Sequence, residues 1–277
     1  MLGQVKAPRR RAGAALLAAS CVLLSGCVST DEFFDNWTGV SSGPAPPPHL
    51  AAAAPMTVVL VSIDGLDAGE LGAKTTPNLA RLAETGSRAE RLLAASGDDA
   101  LVTGRLAGGR GADGPVPIWV SAERAGIRTG VAAWPGAEAP VLGVRPSAVI
   151  PSSASLSPEA RVDRLLSWLD LPADRAPGFL AIAFQADPAT LAGVDAAVGR
   201  LAAGLKTRKV KADLVIVSGA ASGMGGVLIA NGPDIFPGAV LKPCGAADVY
   251  GFLARLLDIT PQPNDGRPEH LYAALRR

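Results

Sequence analysis

The stretch TVVLVSIDGL at residues 57–66 constrains this chain more than any other. A run of β-branched and apolar residues stops at one carboxylate, Asp64, followed by Gly65. A run without polar alternation fits a strand buried on both faces, in the middle of a parallel sheet. Asp64 then falls at the carboxyl end of that strand, where open α/β sheets place their ligands. The next segment reads as a helix, with Thr76 as N-cap, Pro77 at the first helical position, Leu79 and Leu82 on one face and Gly86 at the stop.

Strand and helix patterns alternate from there on, without an internal repeat, which predicts a layered α/β domain. Strand-like runs occupy 88–93, 128–133, 179–184, 214–217 and 227–230. Helical patterns occupy 118–126 and 249–257, a turn begins at 101–104, and further helices open at Ser157-Pro158 and at Pro188. After Pro188 the apolar residues Leu191, Val194, Val198, Leu201 and Leu205 step by three and four, an amphipathic period.

Of the 277 residues, 48% are hydrophobic and 18% charged, with a net charge of +1. That balance is globular and lacks the basic surplus that would point to nucleic acid. Lys6, Arg9, Arg10 and Arg11 precede an apolar run at 14–24, the layout of a secretory signal, too short to serve as a membrane span. It ends in Leu24-Ser25-Gly26-Cys27, which resembles the bacterial lipobox and implies cleavage before Cys27 and lipidation of its thiol. Three acyl chains would anchor the protein to a membrane, since each buried methylene contributes about 0.8 kcal/mol. Val28 after the cysteine, by analogy with Gram-negative lipoproteins, favours the outer membrane, facing the periplasm. The expected organisation is a signal peptide at 1–26, a Pro-rich tether at 27–55 containing SSGPAPPP, and one domain at 56–277. Cys244 is then the one free thiol, and no internal disulfide can form.

VVLVSIDGL followed by TTPNLARLAETGSRAE resembles the opening of the alkaline phosphatase superfamily, in its nucleotide pyrophosphatase/phosphodiesterase branch. LVTG (101–104), PIWVSAERAGIRTGVAAWPGAEA (117–139), RVDRLLSWLDLP (161–172), VDAAVGRLAAGL (194–205), NGPDIFPGAVLKP (231–243) and DVYGFLARLLDITPQPNDG (248–266) follow in family order. The resemblance implies an alkaline-phosphatase-like core in reduced form, with a mostly parallel central sheet and helices on both faces. It also implies phosphoester hydrolysis by two zinc ions and a threonine nucleophile, the metals stabilising attacking and leaving oxygens.

Those family residues can be sought one by one. Asp64 matches the strand-end zinc ligand, and Asp187 aligns with a second metal-binding aspartate. The position four residues on, where the family has histidine, is Leu191. Before LVTG the chain reads AASGDDA (94–100), with no threonine and only Ser96 as a hydroxyl. In VSGAASGM (217–224) the family's Asp-His pair is replaced by Gly219-Ala220 or Ala221-Ser222, and Gly225-Gly226 runs straight into the last strand. The whole chain has two histidines, His49 in the tether and His270 near the C-terminus. A zinc site of this type uses three imidazoles, at about 2.0–2.1 Å from the metal.

No other grouping replaces that site. Asp98-Asp99 reads as a solvated acidic pair and Gly108-Gly109-Arg110-Gly111 as a turn rather than a phosphate cradle. Trp119, Trp134 and Trp168 read as core, and Cys244 as inert. The expectation is a membrane-anchored pseudoenzyme that needs no cofactor and binds a protein partner or a phosphorylated small ligand. One alternative is a hydrolase rebuilt on the oxygen ligands Asp64 and Asp187, with Asp98 or Asp99 as a further candidate, suited to magnesium or calcium; another is a structural envelope protein with no ligand.

Overall fold

The computed structural model describes residues 56–93, 98–106, 114–219 and 225–276. Strand β1 (Thr57–Asp64) runs down the middle of an eight-stranded sheet. It pairs in parallel with β6 (Phe179–Gln185) on one edge and β7 (Ala212–Gly219) on the other. Beyond β6 lie β4 (Thr129–Ala132) and the edge strand β5 (Ala148–Ile150), both parallel. Beyond β7 lie β8 (Leu228–Asn231), antiparallel to its neighbours, then β2 (Ser87–Ala89) and β9 (Val240–Leu241).

Both faces of β1 are buried because helices cover both sides. Val59, Val61 and Ile63 meet α1 (Pro77–Thr85), α4 (Pro158–Trp168) and α5 (Leu191–Thr207). Val58 and Leu60 belong to the opposite core, with α2 (Asp98–Thr103), α3 (Ile118–Arg124) and α6 (Ala246–Leu256). Each fully buried aliphatic side chain contributes roughly 1.5–3 kcal/mol, so the strand that carries Asp64 is among the most strongly held parts of the fold. Trp119, Trp134 and Trp168 are buried as expected, the first two edge to face with centroids 5.9 Å apart.

Several local expectations are corrected. The single strand read at 88–93 is two: β2 stays in the main sheet, while β3 (Leu92–Leu93) leaves it to pair with β10 (Cys244–Gly245). The turn read as starting at 101–104 is the end of α2, closed by Gly104 in the left-handed region. Helix α5 begins at Leu191, since the residues after Pro188 form a turn. Thr76 precedes α1 as expected, but its hydroxyl donates to the carbonyl of Glu70 (2.9 Å) instead of capping the helix. The edge strands β5 and β9, the pair β3–β10 and a 3-10 turn at Pro268–Ala274 went unread. They are too short to show a period.

Helix α5 closes with the N–H of Lys209 on the carbonyl of Lys206 and the N–H of Val210 on that of Leu205. This is a Schellman ending, and its left-handed position, usually glycine, is held by Lys209 at φ +54°. Helix α3 ends the same way on Gly126, at φ +83°. A side chain in that region costs roughly 1–2 kcal/mol, partly offset by the greater freedom of glycine when unfolded. Lys209→Gly should therefore stabilise the fold by about 0.5–1 kcal/mol, read as a higher midpoint in urea denaturation.

Candidate functional site

The carboxyl ends of β1, β6 and β7 form one edge, with Asp64 in register with Gln185 on one side and Gly219 on the other. The chain turns sharply beyond Asp64. Gly65 has φ +90°, and a Cβ there would lie 2.1 Å from the carbonyl oxygen of Ala186. Its N–H donates to Gly219 O (3.2 Å), while Ala186 N–H donates to Asp64 O (2.7 Å). Backbone bonds to both neighbours thus fix where Asp64 points. Its side chain is exposed and lies over Gly219, where an added Cβ would sit 3.1 Å from Oδ1.

Asp187 stands two residues beyond the partner of Asp64, on the same edge, and is exposed. Its Oδ1 accepts from the hydroxyl of Thr190 (2.9 Å) and from the N–H groups of Thr190 (2.8 Å) and Ala189 (2.9 Å). These bonds, the Thr190 hydroxyl foremost, hold the carboxyl below the ordinary aspartate range. The residue is thus engaged by the turn that leads into α5. Asp67 and Glu70 lie just past β1, with Glu70 Oε2 accepting from Asp67 N–H (2.9 Å). Glu138, after β4, accepts from the backbone and hydroxyl of Ser152, bonds that hold its pKa low against partial desolvation.

The structure brings Asp64 and Asp187 to one edge, but among the described residues no group of three His, Cys, Asp or Glu side chains is placed to hold a metal. Such a site would need imidazole, and the described histidine, His270, is held elsewhere. Its Nδ1 is 3.0 Å from the carbonyl of Arg267 and its Nε2 4.0 Å from Asp248 Oδ2, against the first turn of α6. The residues present do not fit a two-zinc centre. Asp99 lies in α2. Cys27, Ser96, Gly108 to Gly111 and Ala220 to Ser222 lie outside the described residues, and nothing is placed for the side chain of Asp98. Cys244 is buried, and desolvation pushes its thiol up to about 12, which suits an inert core residue.

One residue was missed. Asp195 lies on the apolar face of α5 and is 2% exposed. Its carboxylate accepts from the N–H groups of Asn78 (3.1 Å) and Leu79 (2.9 Å) and from the Asn78 side chain (2.9 Å). These are the second and third residues of α1, so Asp195 performs, from another helix, the capping assigned to Thr76. The bare backbone of Gly199, one turn on, leaves room for Asn78, whose side chain a Cβ would meet at 2.5 Å. A signal was available: Leu191, Asp195 and Val198 share one helical face, so the acid falls in the core stripe.

A family model described as type I phosphodiesterase / nucleotide pyrophosphatase matches residues 94–232, half of the chain. An uncharacterized pyrophosphatase/phosphodiesterase of Schizosaccharomyces pombe is 34% identical over 115 residues, which are 36% of this chain and 24% of that protein. Venom phosphodiesterase 2 of Crotalus adamanteus is 32% identical over 111 residues, 35% of this chain and 14% of that one. The matched stretch thus spans a quarter or less of these relatives. Among solved structures, murine ectonucleotide pyrophosphatase/phosphodiesterase 5, in an inactive form in complex with AMP, superposes with a TM-score of 0.70. The match covers 79% of this chain and 100% of that one at 16% identity, which is a likeness of fold.

Removing the capping carboxylate would leave two helix N–H groups and an amide without their acceptor. Asp195→Ala should cost about 2–4 kcal/mol in urea denaturation, and Asp195→Asn, which retains one acceptor oxygen, should cost less.

Proposed function

Since the chain belongs to the type I phosphodiesterase / nucleotide pyrophosphatase family, we propose that it keeps that family's scaffold without its hydrolytic chemistry. It acts in binding or partner interaction, held at a membrane by a lipid on Cys27. The observation that carries this reading is the histidine content. Of the two imidazoles in the chain, His49 precedes the domain and His270 is engaged at Arg267 and Asp248. Zinc chemistry at Asp64 would lack its nitrogen ligands, and AASGDDA supplies no threonine to activate. Asp187, bonded within its own turn, is stabilised as a carboxylate without a cation.

The ligand class is a protein partner or a phosphorylated small molecule. The superposed murine protein is in complex with AMP while inactive, so retention of a nucleotide without turnover is the small-molecule form of this reading.

The test is hydrolysis of phosphodiesters by the purified protein with zinc, manganese or magnesium supplied. The expected rate is background, unchanged by Asp64→Ala. Metal-dependent turnover abolished by Asp64→Ala would establish instead a site rebuilt on oxygen ligands. Anchoring is read separately, by metabolic labelling with a fatty acid. The wild type should be marked and Cys27→Ser should not, and equal labelling of the two would remove Cys27 as the attachment point.

A further inference from the structure

We propose that His270 and Asp248 form a pH-sensitive clasp, in which protonation of the imidazole fastens the C-terminal segment at 267–276 to the start of α6. That segment is a strap held at two places. At its beginning Pro268 packs on Gly251 of α6, and Arg267 N–H donates to Asp248 Oδ1 (2.6 Å). At its end Phe236 N–H donates to Ala274 O (2.8 Å), Arg276 N–H donates to Asp234 O (2.8 Å), and Leu275 bridges to Ile235.

The imidazole is satisfied on one side only. Nδ1 lies 3.0 Å from the carbonyl of Arg267, which can only accept, so in the neutral ring Nδ1 carries the proton. Nε2 is then left with a lone pair. It is buried, no hydrogen bond reaches it, and Asp248 Oδ2 stands 4.0 Å away. Two acceptors thus face each other. Taking up a proton turns Nε2 into a donor and the ring into a cation, opposite a carboxylate whose side chain is only 15% exposed. Capping of α6 accounts for the bond that Asp248 Oδ2 makes to Gly245 N–H (2.7 Å). It does not account for an imidazole lone pair held against the same oxygen.

The other charged and titratable groups here are Arg255 on α6, Arg267, Glu269 and Tyr272 on the strap, Asp265 paired with Arg105 just ahead of it, and Lys242 after β9. Burial holds Tyr272 neutral, above the ordinary tyrosine value, and Cys244, which faces Asp248, is pushed up to about 12. Imidazole is the side chain that ordinarily changes charge between about pH 5 and 8. The extra bond exists only in the protonated form. The clasp therefore adds stability at low pH and loses it as pH rises through the range where imidazole releases its proton. Asp248 also holds Gly245 of β10, which pairs with β3, and Leu92 of β3 bonds Gly226 beside the Asp64 edge. Acidity is thereby linked to the seating of both the C-terminus and the β3–β10 pair.

The test is hydrogen exchange of the Phe236 and Arg276 amides in the full chain, at about pH 8 and about pH 5.5, corrected for the intrinsic chemical rate. Protection should rise roughly three- to tenfold on acidification, the range for a charge-assisted bond discounted for partial exposure. His270→Gln should abolish the rise, and His49→Gln, which removes the other imidazole, should retain it. Asp248→Asn, which removes the charge that the imidazolium would meet, should abolish it as well. A wild type whose protection does not rise would overturn the proposal, as would an equal rise in His270→Gln or in Asp248→Asn. The tautomer gives a second reading that needs no variant. Nitrogen NMR of the imidazole at about pH 8 should place the proton of the neutral ring on Nδ1, and a proton on Nε2 would overturn the proposal.

Discussion

Both ends of this molecule depend on β1 being hydrogen-bonded along both edges and buried on both faces. Its partners β6 and β7 run parallel to it in register from Val58 to Asp64. Parallel pairing aligns the carboxyl ends of the strands at one edge and their beginnings at the other. A residue at the end of such a strand is placed by the sheet rather than by its own loop. Asp64 shows this directly, since Gly65 and Ala186 tie the backbone around it to both neighbours. The geometry of that edge is therefore retained whether or not the side chains there perform chemistry.

Two of the carboxylates at this edge are satisfied by local hydrogen bonds, whereas Asp67 Oδ1 is buried without a hydrogen-bond partner. Asp64 remains in solvent, Asp187 is satisfied by Thr190 and Ala189, and Glu138 by Ser152. In a metal centre the cation would do this for all of them together, and the acids would converge on it.

Much of this was legible because the strongest patterns are the ones the fold uses most. The apolar run at 57–63 could only be a doubly covered strand, and the three-and-four spacing from Leu191 to Leu205 could only be a buried helix face. The cleft end of the sheet followed from Asp64 standing where that run stops. What was not legible depended on contacts distant in sequence. Leu92 reads as a continuation of β2 until Cys244 and Gly226 are seen to bond it. Thr76 has every local mark of a cap, yet the cap is Asp195, more than a hundred positions away. Local propensity names the position that needs an acceptor, and tertiary structure decides which residue supplies it.

The charges at the Asp64 edge bear on what it can receive. Asp64, Asp67, Glu70 and Asp187 stand there together with Lys74 and Arg91, while Arg161 is committed, donating to the carbonyls of Ala183 and Leu156 with Phe184 beneath it. A bare phosphate group approaching Asp64 meets like charge in an exposed setting, where a unit pair at 4 Å is worth about 1–4 kcal/mol. In a hydrolase of this fold two zinc ions would reverse that sign before substrate arrived, and among the described residues no imidazole stands at this edge to hold them. A phosphorylated ligand at Asp64 itself would need a cation beside it, whereas a cationic protein segment would need none.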